Sequence, residues 1–236
     1  SSLALGAAPL ATPLAAQGGY FGQNHVQFRT FKWQVLKTEH FDVHYYPELA
    51  DVAVYTGQMA ERTYARLKSL LNHEFNEGTG GVTDALRQRN MFFFAGDLGE
   101  AEHVLAHEMV HVFQYDIFAR GKAGSGMQQL AQVNPPLWFI EGMAEYLSVG
   151  PVHPYTDAVM RDAALNGNIP SIERLTTRPD LYFPYRFGEA VWSYVGKRWG
   201  DETIGEIMQA TPSLGVDRAF RRYIGMDLEE FGDEWK

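Results

Sequence analysis

Apolar and polar residues alternate at period two along Phe41-Asp42-Val43-His44-Tyr45-Tyr46 and stop at Pro47, so residues 28–46 read as strands. The period then lengthens. Val52, Tyr55, Met59, Tyr64, Leu67 and Leu71 recur at helical spacing and predict an amphipathic helix over residues 48–72. Met91-Phe92-Phe93-Phe94 predicts a short buried strand ended by Ala95-Gly96-Asp97, and a second helix is expected from Leu98 or Gly99 to Phe118. Gly121-Lys122-Ala123-Gly124-Ser125-Gly126 reads as a loop at the rim of a cleft. Beyond Glu145 the pattern is almost wholly helical, with stops at Gly150-Pro151, Asn166-Gly167-Asn168 and Gly200, and a closing helix over residues 228–236. The expected class is α+β: a small N-terminal mixed sheet and a mostly helical C-terminal half. It divides into an arm or signal-peptide remnant over 1–19, a sheet with two functional helices over 20–149, and a helical subdomain over 150–236.

One of those helices carries His107-Glu108-Met109-Val110-His111. Residues four apart share a helical face, so both imidazoles can reach one metal ion while Glu108 points aside, placed to deprotonate a water. With this composition chance supplies only ~0.02 copies of the pattern per chain. The bland alternative is two satisfied core histidines beside a solvated glutamate. It fits poorly with the apolar flanks Val104, Leu105, Val110, Val112 and Phe113. His103 extends the stripe by a turn, but on a straight helix 103 and 111 lie about 12 Å apart and cannot share one ion. His103 is therefore expected at the helix N-terminal end or lining the cleft. His25, His40, His44, His73 and His153 have no ligand spacing.

Two imidazoles make half of a catalytic zinc site, which takes three protein ligands. The donor of the third is Trp138-Phe139-Ile140-Glu141-Gly142-Met143-Ala144-Glu145-Tyr146, preceded by Pro135-Pro136 where proline suits a helix start. Glu141 and Glu145 share a face in a segment too apolar to expect two solvated carboxylates. Glu141 can ligate zinc, and Glu145 can accept the free ring N–H of a ligand histidine, most naturally His107.

Composition narrows the setting. A net charge of −9 and no basic run exclude a nucleic-acid partner. The absence of cysteine excludes disulfides and thiolate-bound zinc. Residues 1–17 are small, apolar and uncharged, ending in Leu14-Ala15-Ala16-Gln17, as at the end of a signal peptide, and point to export. No stretch reaches the ~18 uninterrupted apolar residues of a transmembrane span.

His107-Glu108-x-x-His111 followed by Trp138 to Tyr146 resembles the gluzincin metallopeptidases, most nearly the bacterial peptidase MA-like domains, with thermolysin and the M1 aminopeptidases as relatives. The resemblance implies a thermolysin/M1-like catalytic domain holding one zinc ion, with His107, His111 and Glu141 as ligands and Glu108 as general base. Tyr185-Arg186-Phe187-Gly188 is similar to the Tyr-x-x-Gly element of M1 enzymes, which implies Tyr185 as the donor to the tetrahedral intermediate, with Tyr182 and Tyr194 as competitors. Gly188 would let that helix pack close to a neighbour. The implied function is an exported zinc-dependent peptidase acting on peptide or protein substrates through a metal-activated water. Two alternatives stand beside it: a catalytically silent scaffold domain of a longer chain, for which the resemblance implies a β-propeller such as relatives often carry afterwards, and a zinc hydrolase of non-peptide amides or esters.

Overall fold

A computed structural model describes residues 32–74, 96–119 and 126–236. The expected strand at 91–94, the N-terminal arm, His25 and most of the 121–126 loop lie outside the described residues, although Gly126 opens a helix. Among the described residues the only sheet is an antiparallel pair, β1 (Gln34–Lys37) and β2 (Asp42–Tyr45), in which Val35 faces His44 and Leu36 faces Val43.

A 3₁₀ turn over Pro47–Leu49 leads into α1 (Ala50–Leu71), which buries Met59, Tyr64, Leu67 and Leu71. It ends where Asn72 adopts the left-handed region at φ 45 and its N–H caps the Lys68 and Ser69 carbonyls. α2 (Leu98–Ala119) starts at Asp97, whose side chain accepts from the N–H groups of Gly99 and Glu100. Its apolar residues cover most of its circumference, and Leu105, Met109, Val110, Val112, Phe113 and Phe118 are buried. A helix greasy on every side belongs in the centre of a core.

α3 (Gly126–Val133) crosses to α4 (Leu137–Val149), then follow α5 (Pro154–Leu165), α6 (Ile172–Thr177), α7 (Pro184–Trp199), α8 (Asp201–Leu214), α9 (Val216–Tyr223) and α10 (Leu228–Trp235). α8 and α9 are separated at Gly215, a chain stop that the apolar pattern alone did not reveal, and Gly225 lies ahead of the expected closing helix. α4 lies between α2 and α7, and one core runs from Tyr64 and Phe113 through Trp138, Phe139 and Trp192 to Phe220 and Phe231. The buried indoles are satisfied: Trp192 donates to the Phe139 carbonyl at 3.0 Å and Trp138 to Thr176 at 3.0 Å.

The α4–α7 crossing fixes the site. Gly142 and Gly188 face one another so closely that a Cβ on Gly142 would enter the Gly188 backbone, and one on Gly188 would overlap the Trp138 carbonyl. Two helices touch backbone to backbone there, one turn from Glu141, Glu145, Tyr185 and Arg186. No helix among the described residues is long and apolar enough to cross a membrane.

Candidate metal centre

Helical spacing puts His107 and His111 on one side of α2, and the packing of α4 on α2 sets Glu141 across from them. The Nε2 atoms of His107 and His111 are 3.2 Å apart, and each lies 3.3 Å from Glu141 Oε2. A tetrahedral zinc with bonds of about 2.0–2.1 Å separates its ligand atoms by about 3.3–3.4 Å. The three edges therefore match one face of such a site.

Hydrogen bonding explains why three lone pairs converge. Gln114, 1% exposed, donates from Nε2 to the Ile140 carbonyl at 3.0 Å, which turns its Oε1 toward His111 Nδ1 at 2.7 Å. An amide oxygen only accepts, so neutral His111 carries its proton on Nδ1 and presents the Nε2 lone pair to the cluster. Glu145 Oε1 faces His107 Nδ1 at 3.5 Å and favours the same tautomer there. Glu141 Oε2 is buried and accepts no well-formed hydrogen bond. Three acceptors facing one another across a buried point call for a cation.

Electrostatics agrees. Burial alone would raise the Glu141 carboxyl, but the two histidines outweigh it and hold Glu141 at about 2. Burial works against charge on His111 as well, yet Glu141 and then Gln114 leave it above its ordinary value.

A cavity of about 240 Å³ opens on these donors, lined by His107, Glu108, His111, Tyr115, Ile140, Glu141 and Tyr185. Glu108 reaches it without joining the converging donors. The Tyr185 ring stacks on His107 at 5.8 Å between centroids and on Phe183 at 5.0 Å. Burial first, then the neighbouring Glu141 carboxylate, push its phenol up to about 12. The competing tyrosines point elsewhere: Tyr182 packs on Phe187 and under Arg174, and Tyr194 donates to Glu234 at 2.8 Å.

His103 lies in the N-terminal part of α2, one of its two expected places, and is not among the residues that line the cavity. Its Nε2 pairs with Glu145 Oε2 at 3.2 Å because that carboxylate, one turn beyond Glu141, lies opposite residue 103. Glu145 raises the His103 pKa despite burial. His40 and His73 pair with Glu61 and Asp116, at 2.7 and 2.6 Å. His153, without a ligand spacing in sequence, joins a buried group with Glu145, Glu189 and Arg186. Sequence reasoning also missed Gln114 and Tyr115, which sit three and four residues after His111 and so continue its helical face.

Residues 82–156 are similar to the family described as "Peptidase of plants and bacteria". This likeness supports a peptidase-related domain, and the matched stretch contains His107, Glu108, His111, Gln114, Glu141 and Glu145 but neither Tyr185 nor Arg186. No curated protein and no solved structure matches the chain.

Proposed function

We propose that the chain is a zinc-dependent peptidase of the gluzincin kind, with His107, His111 and Glu141 as the ligands of one ion. The observation that carries this reading is the triangle of His107 Nε2, His111 Nε2 and Glu141 Oε2, with edges of 3.2, 3.3 and 3.3 Å, at whose centre no lysine or arginine among the described residues is placed. Zinc, when bound, supplies a Lewis acid that polarises a carbonyl and makes a nearby water more acidic.

The remaining work falls to side chains. Gln114 and Glu145 keep the ring protons of His111 and His107 on Nδ1, so both Nε2 atoms stay available as ligands. Glu108 takes the proton of the attacking water and delivers it to the leaving amine as the C–N bond breaks. Tyr185, whose phenol is protonated at neutral pH and is pushed further up to about 12, donates to the oxygen on which negative charge develops. The cavity is lined by polar groups at the reacting centre and by Ile140, which suits a main-chain amide flanked by apolar matter.

The test is metal analysis of the purified protein together with cleavage of a mixed peptide library by wild type and Glu108→Gln. One zinc per chain in both, with cleavage only by wild type, is expected. Protein that folds but takes up no zinc overturns the reading, as does Glu108→Gln with wild-type turnover. Hydrolysis of esters or simple amides without any peptide cleavage moves the substrate class.

A further inference from the structure

We propose that Arg186 is a positioning residue for the metal centre: it holds Glu145 so that one carboxylate oxygen is committed to His107. This rests on the zinc reading above.

Arg186 Nη1 lies 3.0 Å from Glu145 Oε2, 3.0 Å from Glu189 Oε2 and 2.8 Å from His153 Nδ1. Glu145 and Glu189 are 5% and 2% exposed. Two carboxylates taken that far from water need a cation close by, and the guanidinium is placed to serve both. Arg186 is itself fixed. Glu189 accepts from buried Thr156 at 2.5 Å, and Tyr155 lies against the guanidinium at 5.1 Å.

Glu145 Oε2 is thus occupied by Arg186 and by His103 at 3.2 Å, and only Oε1 is left for His107 Nδ1. A carboxylate free to rotate would share its charge among these partners and release the His107 ring. One held through Oε2 fixes both the tautomer and the tilt of that ring. The chain of restraint runs from Glu189 on α7 through Arg186 and Glu145 to His107, and the same helix carries Tyr185 into the cavity. Arg186 is not among the cavity-lining residues, and of its partners Glu145, Glu189 and His153 it is Glu145 that faces His107.

The experiment compares wild type with Arg186→Met, Arg186→Lys and Glu189→Gln. It reads zinc affinity by competition with a chromophoric chelator, the visible spectrum of the cobalt-loaded proteins, and the melting temperature of the metal-free proteins. Arg186→Met is expected to weaken zinc by about 10–100-fold, the scale of lost outer-shell partners, and to shift the cobalt bands. Arg186→Lys keeps the charge within reach of two of the three acceptors and should recover most of the affinity. Glu189→Gln, which touches no donor of the centre, should show a smaller loss in the same direction. A purely structural role would lower the metal-free melting temperature and leave the cobalt spectrum of wild type intact. Unchanged or tighter zinc binding by Arg186→Met overturns the proposal. If that variant does not fold, wild-type affinity in both Arg186→Lys and Glu189→Gln overturns it instead. Wild-type protein that binds no zinc fails at an earlier point and overturns the zinc reading itself.

Discussion

Glu141 and Glu145 stand one turn apart on α4, and each gathers a similar set of donors, yet the two groups are completed differently. Around Glu145 lie His103, His107, His153 and Glu189, and the chain inserts Arg186 at 2.8–3.0 Å from Glu145, His153 and Glu189. Around Glu141 lie His107 and His111, and among the described residues no guanidinium or ammonium pairs with them. The first group is neutralised from within and reads as scaffold. The second leaves a buried carboxylate oxygen without a well-formed hydrogen bond, beside two imidazole lone pairs, and opens onto a cavity. A carboxylate–histidine cluster is therefore not a metal site by composition alone. What separates the two is whether the fold supplies the cation.

The comparison is broken most forcefully at Glu108. If the Glu141 cluster is a working zinc centre, Glu108→Gln should retain the metal and lose about 10²–10⁴ in turnover, the cost of removing a general base. Peptide cleavage assays and metal analysis on the same preparation check this, and an active variant would demote the cluster to a structural role. Tyr185→Phe comes next. It should lower kcat by about 10²–10³ with KM nearly unchanged, because its bond to the developing oxyanion forms only in the transition state. A rise in KM with kcat intact would make Tyr185 a substrate-packing residue.

Smaller effects are expected one layer out. Glu145→Ala should weaken zinc by about 10–100-fold, and Gln114→Leu should act similarly on the other histidine, both read by chelator competition. Equal zinc affinity in both variants and wild type would show that the ligand rings are held by packing alone. Gly188→Ala probes the hinge between the two clusters, because the added Cβ meets the Trp138 carbonyl. Overpacking of this kind costs about 1–3 kcal/mol, and in a chain of this size each kcal/mol lowers the melting temperature by about 2–4 °C. A variant that melts with wild type would mean that the crossing has slack.

How much of this could be read from the sequence follows from the range of the interactions. The His107/His111 and Glu141/Glu145 pairs repeat at i,i+4 within single helices, so both are visible as local patterns. The helix of residues 48–72 was legible for the same reason and is found as Ala50–Leu71. Gly188 was legible as a point of close approach, although not that its partner would be Gly142. Arg186, Glu189 and His153 were not legible, because their group is assembled from α4, α5 and α7 by tertiary packing. His103 shows the limit from the other side. Its spacing told which face of α2 it occupies, but not that it would pair with Glu145. The break at Gly215 was hidden because the apolar pattern runs through it, and only a left-handed φ of 78 marks it.

The finest test sets the pH response of one cluster against the other. In metal-free protein Glu141 has a folded pKa of about 2, below its ordinary 4.5, so it stabilises the fold above about 4.5 and loses that contribution as pH falls toward 2. His111 has a folded pKa above its ordinary 6.5, so its contribution is complete below 6.5 and is lost as pH rises through the folded value. Both are present only between about 4.5 and 6.5, where the carboxylate and the imidazolium pair. His103, raised by Glu145, adds in the same sense. Zinc reverses the upper limb, because it binds neutral imidazoles and releases their protons. Metal-free protein should thus melt highest between about pH 4.5 and 6.5, whereas the gain from saturating zinc should grow as pH rises from 6 to 8. The Glu141→Gln variant sharpens the contrast. It should flatten the metal-free profile only partly, because Arg186 keeps Glu145 paired and an arginine stays cationic across this range. Melting curves with zinc or with chelator, taken every half pH unit, decide the matter. Parallel profiles with and without zinc would mean that protons and metal do not compete for these histidines, and the contrast between an externally and an internally completed cluster would fail.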